Sequence, residues 1–70
     1  MLPLTLANIG ESMEIIKVGG SAEVRSHLAD LGFVVGGSVC VINTINGNLI
    51  VNVKDTRVAV SKEMAQKIFV

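Results

Sequence analysis

Glu23, His27 and Asp30 are the residues of this chain whose types and spacing come nearest to chemistry. Separations of four and then three residues put all three on one side of a helix, and two carboxylates with one imidazole suit ferrous iron, manganese or zinc. A charged outer face is nevertheless the ordinary state of an amphipathic helix, and three ligands from one straight helix seldom converge on a single ion. No firm metal site is therefore assigned, and Glu23, His27 and Asp30 stand as weak candidates for Fe²⁺ or another divalent transition metal. Cys40, between Val39 and Val41, has no basic neighbour to activate its thiol and reads as a structural cysteine. As the single cysteine it forms no internal disulfide, and there is no CxxC pair for structural zinc. The one histidine has no nucleophile spaced to use it, and the glycines spell neither GxGxxG nor a phosphate loop. An enzyme is the weakest reading, and a binding module is the stronger one.

The elements that position these residues follow from periodicity and punctuation. Asn8-Ile9-Gly10 reads as a turn and Met13 to Val18 as a first strand, stopped by Gly19-Gly20. Ser21 is an N-cap for a helix running to Asp30 or Leu31, and Gly32 is placed to end it with a positive φ. Val24, Leu28 and Leu31 form the helix's apolar stripe, opposite the charged face. Ser38 to Ile45 is a second strand with Val39, Val41, Asn43 and Ile45 on one face. Asn46-Gly47 predicts a two-residue hairpin, because both residues accept positive φ. Asn48 to Lys54 returns with Leu49, Val51 and Val53 inward, Asp55-Thr56 turns, and Arg57 to Val60 adds a short strand. Ser61 opens a last helix with Met64, Ala65 and Ile68 as its buried stripe. This order predicts a mainly β fold, a small partly open antiparallel barrel with two short helices.

Seventy residues make one domain, 1–70, and 50% hydrophobic content with 17% charged residues predicts that it folds around a thin core. Six basic and six acidic residues cancel. Without a net field, and with Phe33 and Phe69 as the only aromatics, no nucleic-acid partner is expected. Neutrality leaves self-association open. The longest uninterrupted apolar run, Val39 to Ile42, is far below the roughly 18–20 residues of a transmembrane helix, so no membrane insertion is expected. Met1-Leu2-Pro3-Leu4-Thr5-Leu6 has no basic region and does not read as a signal peptide, which predicts a cytoplasmic protein.

With these elements placed, the glycine punctuation resembles the ferrous iron transport protein A (FeoA-like) family and the related SH3-like C-terminal domains of iron-dependent repressors. The matching residues are Leu6, Gly10-Glu11, Ile16 and Gly20, then Leu28-Ala29-Asp30-Leu31-Gly32-Phe33, Gly36 and Val39, and finally Val58-Ala59-Val60-Ser61-Lys62-Glu63-Met64-Ala65 with Ile68 and Val70. Leu28 to Gly36 is the most specific stretch, and the match spans nearly the whole chain. Two positions depart from the family pattern: His27, where many members carry Arg, and Asn46-Gly47-Asn48, in place of a proline-containing hairpin tip.

The resemblance implies a five-stranded SH3-like barrel that binds rather than catalyses. Its implied role is that of a cytosolic accessory protein of bacterial ferrous iron uptake, docking on and regulating the cytosolic region of the ferrous-iron permease, a GTP-binding membrane protein. The family is also described as binding transition metal ions. A second reading is a metal-responsive regulatory or sensor module like the repressor domains. For docking, the helix-to-turn corner supplies the expected partner-binding residues: Leu28, Leu31, Gly32, Phe33, Val35 and Gly36, with Arg25 at the rim. Phe33 is the expected main anchor. At least one of Val34 and Val35 must face outward, since adjacent side chains of an extended segment point to opposite sides.

Overall fold

Short runs between glycines and polar turns decide how far each strand extends before it bends. A computed structural model describes residues 1–70. After a 3-10 turn at Leu4–Leu6 come β1 (Ser12–Glu14), β2 (Lys17–Val18), α1 (Ala22–Asp30), β3 (Ser38–Ile45), β4 (Asn48–Val53), β5 (Thr56–Val60), α2 (Lys62–Ala65) and β6 (Ile68–Phe69). One sheet is antiparallel in the order β1-β3-β4-β5, and β2 pairs antiparallel with β6 in a second. The expected mainly β barrel with two short helices is what forms.

Its strand plan corrects the sequence reading in four places. The run from Met13 to Val18 is two strands, because Ile15 leaves the β1 ladder and exchanges backbone bonds with the Gly36-Gly37 turn. Counting β1 and β2 as one bent run gives five passes of chain, the fifth being β6. Ile68 therefore lies in a strand and not on the last helix, which ends at Ala65. In β3 a bulge between Val41 and Asn43 breaks the alternation, so Ile45 does not share the inward face of Val39 and Val41 and is 50% exposed. Finally, Val53 pairs with Thr56, so the β4–β5 turn is Lys54-Asp55, both at positive φ, rather than Asp55-Thr56.

Other expectations hold. Asn46 and Gly47 both have positive φ, at 51° and 82°, and join Ile45 to its partner Asn48 as a two-residue hairpin. Ser21 and Ser61 cap their helices, each side chain accepting the N–H of the residue three positions on, at 3.2 and 3.3 Å. Thirteen apolar residues form one core cluster, to which β4 gives Leu49, Val51 and Val53, and the alternate strand positions of both sheets converge on it. No polar or charged residue is buried.

Candidate docking corner

Where α1 ends, the sequence Leu28-Ala29-Asp30-Leu31-Gly32-Phe33 builds a Schellman stop. Gly32 has φ +108°, its N–H donates to Ala29 O at 2.9 Å, and the N–H of Phe33 donates to Leu28 O at 2.9 Å. The apolar contact that accompanies this motif falls on Phe33 and Leu28, and both are buried. A Cβ on Gly32 would lie 3.4 Å from a methyl of Val53, so the stop is also seated on β4.

Four residues later a second turn closes. Gly37 N–H donates to Val34 O at 3.0 Å, Gly36 N–H to Ile15 O at 2.8 Å, and Ile15 N–H to Gly37 O at 2.8 Å. Gly36 has φ +90° with open space where a Cβ would stand. These bonds fasten the tip of the corner to the kink between β1 and β2. The result is a fixed protrusion on which Val35 is 65% exposed, joined through the Gly36–Ile15 bond to Ile16, which is 51% exposed. Next along the chain, Ile16 N–H donates to Phe69 O, and Lys17 sets its ammonium 5.9 Å from the centroid of the half-buried Phe69 ring. Val35 and Ile16 are thus two exposed apolar side chains on backbone segments that are bonded to each other.

The expected docking residues divide accordingly. Val35 and Gly36 are exposed, Leu31 is half-buried, and Gly32 shapes the bend. Leu28 and Phe33 lie wholly in the core. Phe33, 1% exposed, is thus corrected from contact anchor to internal support, because the Schellman stop turns it under the helix end. Arg25 is not at the rim either: its Nη1 donates to Gly20 O at 3.1 Å, at the opposite end of α1 from the corner. The sequence reading missed Ile16. Its signal was the Ile15-Ile16 pair, since two successive large apolar residues cannot both face one core from an unbroken strand.

Glu23, His27 and Asp30 do line one open depression, with Val24, Ser26 and Met64. No three His, Cys, Asp or Glu side chains come together in a group that could bind a metal, these three included. Cys40 is free and half-buried, its thiol 3.8 Å from Val41 O. No helix is long and apolar enough to cross a membrane.

The family model of the FeoA domain matches residues 2–70. A curated relative from Methanocaldococcus jannaschii, provisionally named Fe(2+) transport protein A, is 30% identical over all of this chain and 85% of its own length. Among solved structures, an iron uptake regulatory protein (FeoA) superposes with a TM-score of 0.88 at 22% identity, over 96% of this chain and 91% of that one. A zinc-complexed FeoA of Stenotrophomonas maltophilia, described as an SH3 domain protein, gives 0.83 at 23% identity over 99% and 88%. A manganese-dependent transcriptional repressor gives 0.87 at 17% identity, covering 97% of this chain but 39% of the repressor, a likeness of fold alone.

Proposed function

The chain belongs to the FeoA family, a family of ferrous iron transport accessory proteins, and from that premise we propose that residues 1–70 act as one non-catalytic docking module. It works in the cytoplasm, where it binds the cytosolic region of the ferrous-iron permease and regulates it. The observation that carries this reading is the pair Val35 and Ile16, large apolar side chains left exposed on a corner that five backbone hydrogen bonds of helix stop and turn hold in one shape.

Rigidity matters because ordering a loop on binding costs free energy, and a preorganised tip has little left to lose. Val35 and Ile16 give the apolar centre of the contact, half-buried Leu31 extends it, and Gly36 makes the turn that presents Val35. Gly32 sets the direction of the corner from within, on the supports Leu28 and Phe33. Lys17 supplies a positive point for an acidic group at the edge of the partner. With no net charge, the chain relies on this short-range contact rather than on long-range attraction.

Capture of the permease's purified cytosolic region by the immobilised chain tests this. The intact chain retains it, and Val35→Glu, which puts a charge into the apolar centre, does not. Equal retention by both would remove the corner from the interface.

A further inference from the structure

The four-stranded sheet ends on β5, and the hydrogen-bond pattern leaves that end unpaired. In the hairpin closed by Lys54-Asp55, Val53 and Thr56 are the bonded pair next to the turn, so bonding alternates and Val51 with Val58 and Leu49 with Val60 are the further bonded pairs. The backbone N–H and C=O of Arg57 and Ala59 therefore point away from β4. No other backbone or side-chain group bonds them, and both residues are exposed. Edge strands of this kind are commonly blunted by proline, a bulge or an inward charge. β5 has none of these, its register with β4 being unbroken from Thr56 to Val60, and the one protecting device it carries is an edge charge, Arg57, which shares the outward face with Asn52.

We propose that β5 is the site of two-fold association with a second copy of this chain, antiparallel and in the register that places Arg57 opposite Ala59 of the other copy. Three antiparallel registers let the outward groups meet. Arg57 opposite Arg57 sets like charges face to face, which is unfavourable. Ala59 opposite Ala59 carries Arg57 past the end of the facing strand, to Ser61. Arg57 opposite Ala59 alone pairs both outward residues of each copy within the strands, and it does so twice by symmetry. All four N–H groups and carbonyls then close, the half-buried Val58 meets its own symmetry copy across the axis, and the aliphatic stem of Arg57 covers the exposed Ala59 and the neighbouring Ile50. The two sheets become one of eight strands. A chain of zero net charge carries no repulsion to oppose it. β1, the other edge, is a poorer site, since it has three residues and is flanked by Glu11 with Glu14 at its end, so that two copies would bring four carboxylates together.

Amide hydrogen exchange of the full chain, measured from micromolar to millimolar concentration alongside sedimentation, tests the edge directly. The expected result is a dimer whose formation slows the Arg57 and Ala59 amides by about tenfold or more, by mass action, with the Val58 amide already slow at every concentration. Ala59→Glu, which faces a carboxylate to Arg57, strengthens association severalfold, and Ala59→Lys weakens it severalfold. Both changes are on an exposed position, and an unchanged Tm at low concentration confirms that the fold is intact. A chain that stays monomeric at millimolar concentration overturns the proposal. So does association that leaves the Arg57 and Ala59 amides fast, or slowing that occurs only when the permease's cytosolic region is added, which would give the edge to a heterologous strand.

Discussion

The N–H of Gly36 donates to the carbonyl oxygen of Ile15 at 2.8 Å, and through this one bond the peptide that carries Val35 is tied to the peptide that carries Ile16. Two exposed apolar residues, nineteen positions apart in the chain, thereby lie on backbone segments fixed to each other. Changing Val35 to Glu leaves the core untouched, so its effect on stability stays within about 0.5 kcal/mol. A Tm matching that of the unsubstituted chain, together with lost permease capture, is the expected pair of results.

Gly32 directs the corner, and its φ of +108° is a conformation that a β-branched residue adopts only under strain. In Gly32→Val the new Cβ meets a methyl of Val53 at an ordinary contact distance of 3.4 Å, so the cost is the backbone strain. The expected loss is about 2 kcal/mol or more, a fall in Tm of about 10 °C in a domain of this size. A thermal melt that shows no change would contradict the helix stop at Gly32. Gly36→Ala, where the space for a Cβ is open, costs only the conformational part, about 1 kcal/mol.

Phe33 sits at 1% exposure in the core, and its removal is a matter of folding before it is a matter of binding. Phe33→Ala is expected to cost about 3–5 kcal/mol, which is comparable with the whole stability of a single small core. Loss of the cooperative melt and of amide dispersion at 25 °C is the expected observation. A well-folded Phe33→Ala protein that had lost only partner binding would restore Phe33 as a contact anchor.

The caps make a smaller, separable contribution. Ser21 Oγ accepts Val24 N–H at 3.2 Å at the start of the helix whose far end forms the corner. Ser21→Ala should lower stability by about 1 kcal/mol, read as a shift in denaturant midpoint with an unchanged slope.

Glu23, His27 and Asp30 share a helix face without forming a group that could hold an ion. Anaerobic calorimetry with Fe²⁺ or Mn²⁺ is therefore expected to show no stoichiometric micromolar binding, and His27→Ala should give the same trace as the parent. Tight one-to-one binding abolished by His27→Ala would favour a sensor module instead.

Local signals in the sequence located most of this fold, for physical reasons. Ser21, Gly32, Asn46-Gly47 and the alternation of Leu49, Val51 and Val53 each act through a cap, a positive φ or a period of two, and each leaves its mark within a few residues. The errors arose where a distant partner decides. Ile15 turns because the Gly36-Gly37 backbone bonds it, Ile45 faces outward because a bulge intervenes, and Ile68 is strand because β2 lies beside it. The corner was legible as a location, since Leu28 to Gly36 is the most specific stretch of the chain. Which of its residues face solvent was not, because the tie between Ile15 and Gly36 that makes Ile16 part of it is long-range. Lys54-Asp55 was missed as a turn because positive φ there is held by non-glycine residues.

The most direct test of the docking corner is a calorimetric titration of the permease's purified cytosolic region with the intact chain and with Val35→Glu and Ile16→Glu, each first shown to melt like the parent. Saturable binding by the intact chain, weakened about tenfold or more by either substitution, is the predicted result, in keeping with the loss of a central apolar contact. Binding that is unchanged in both variants, or absent from the intact chain, would contradict it.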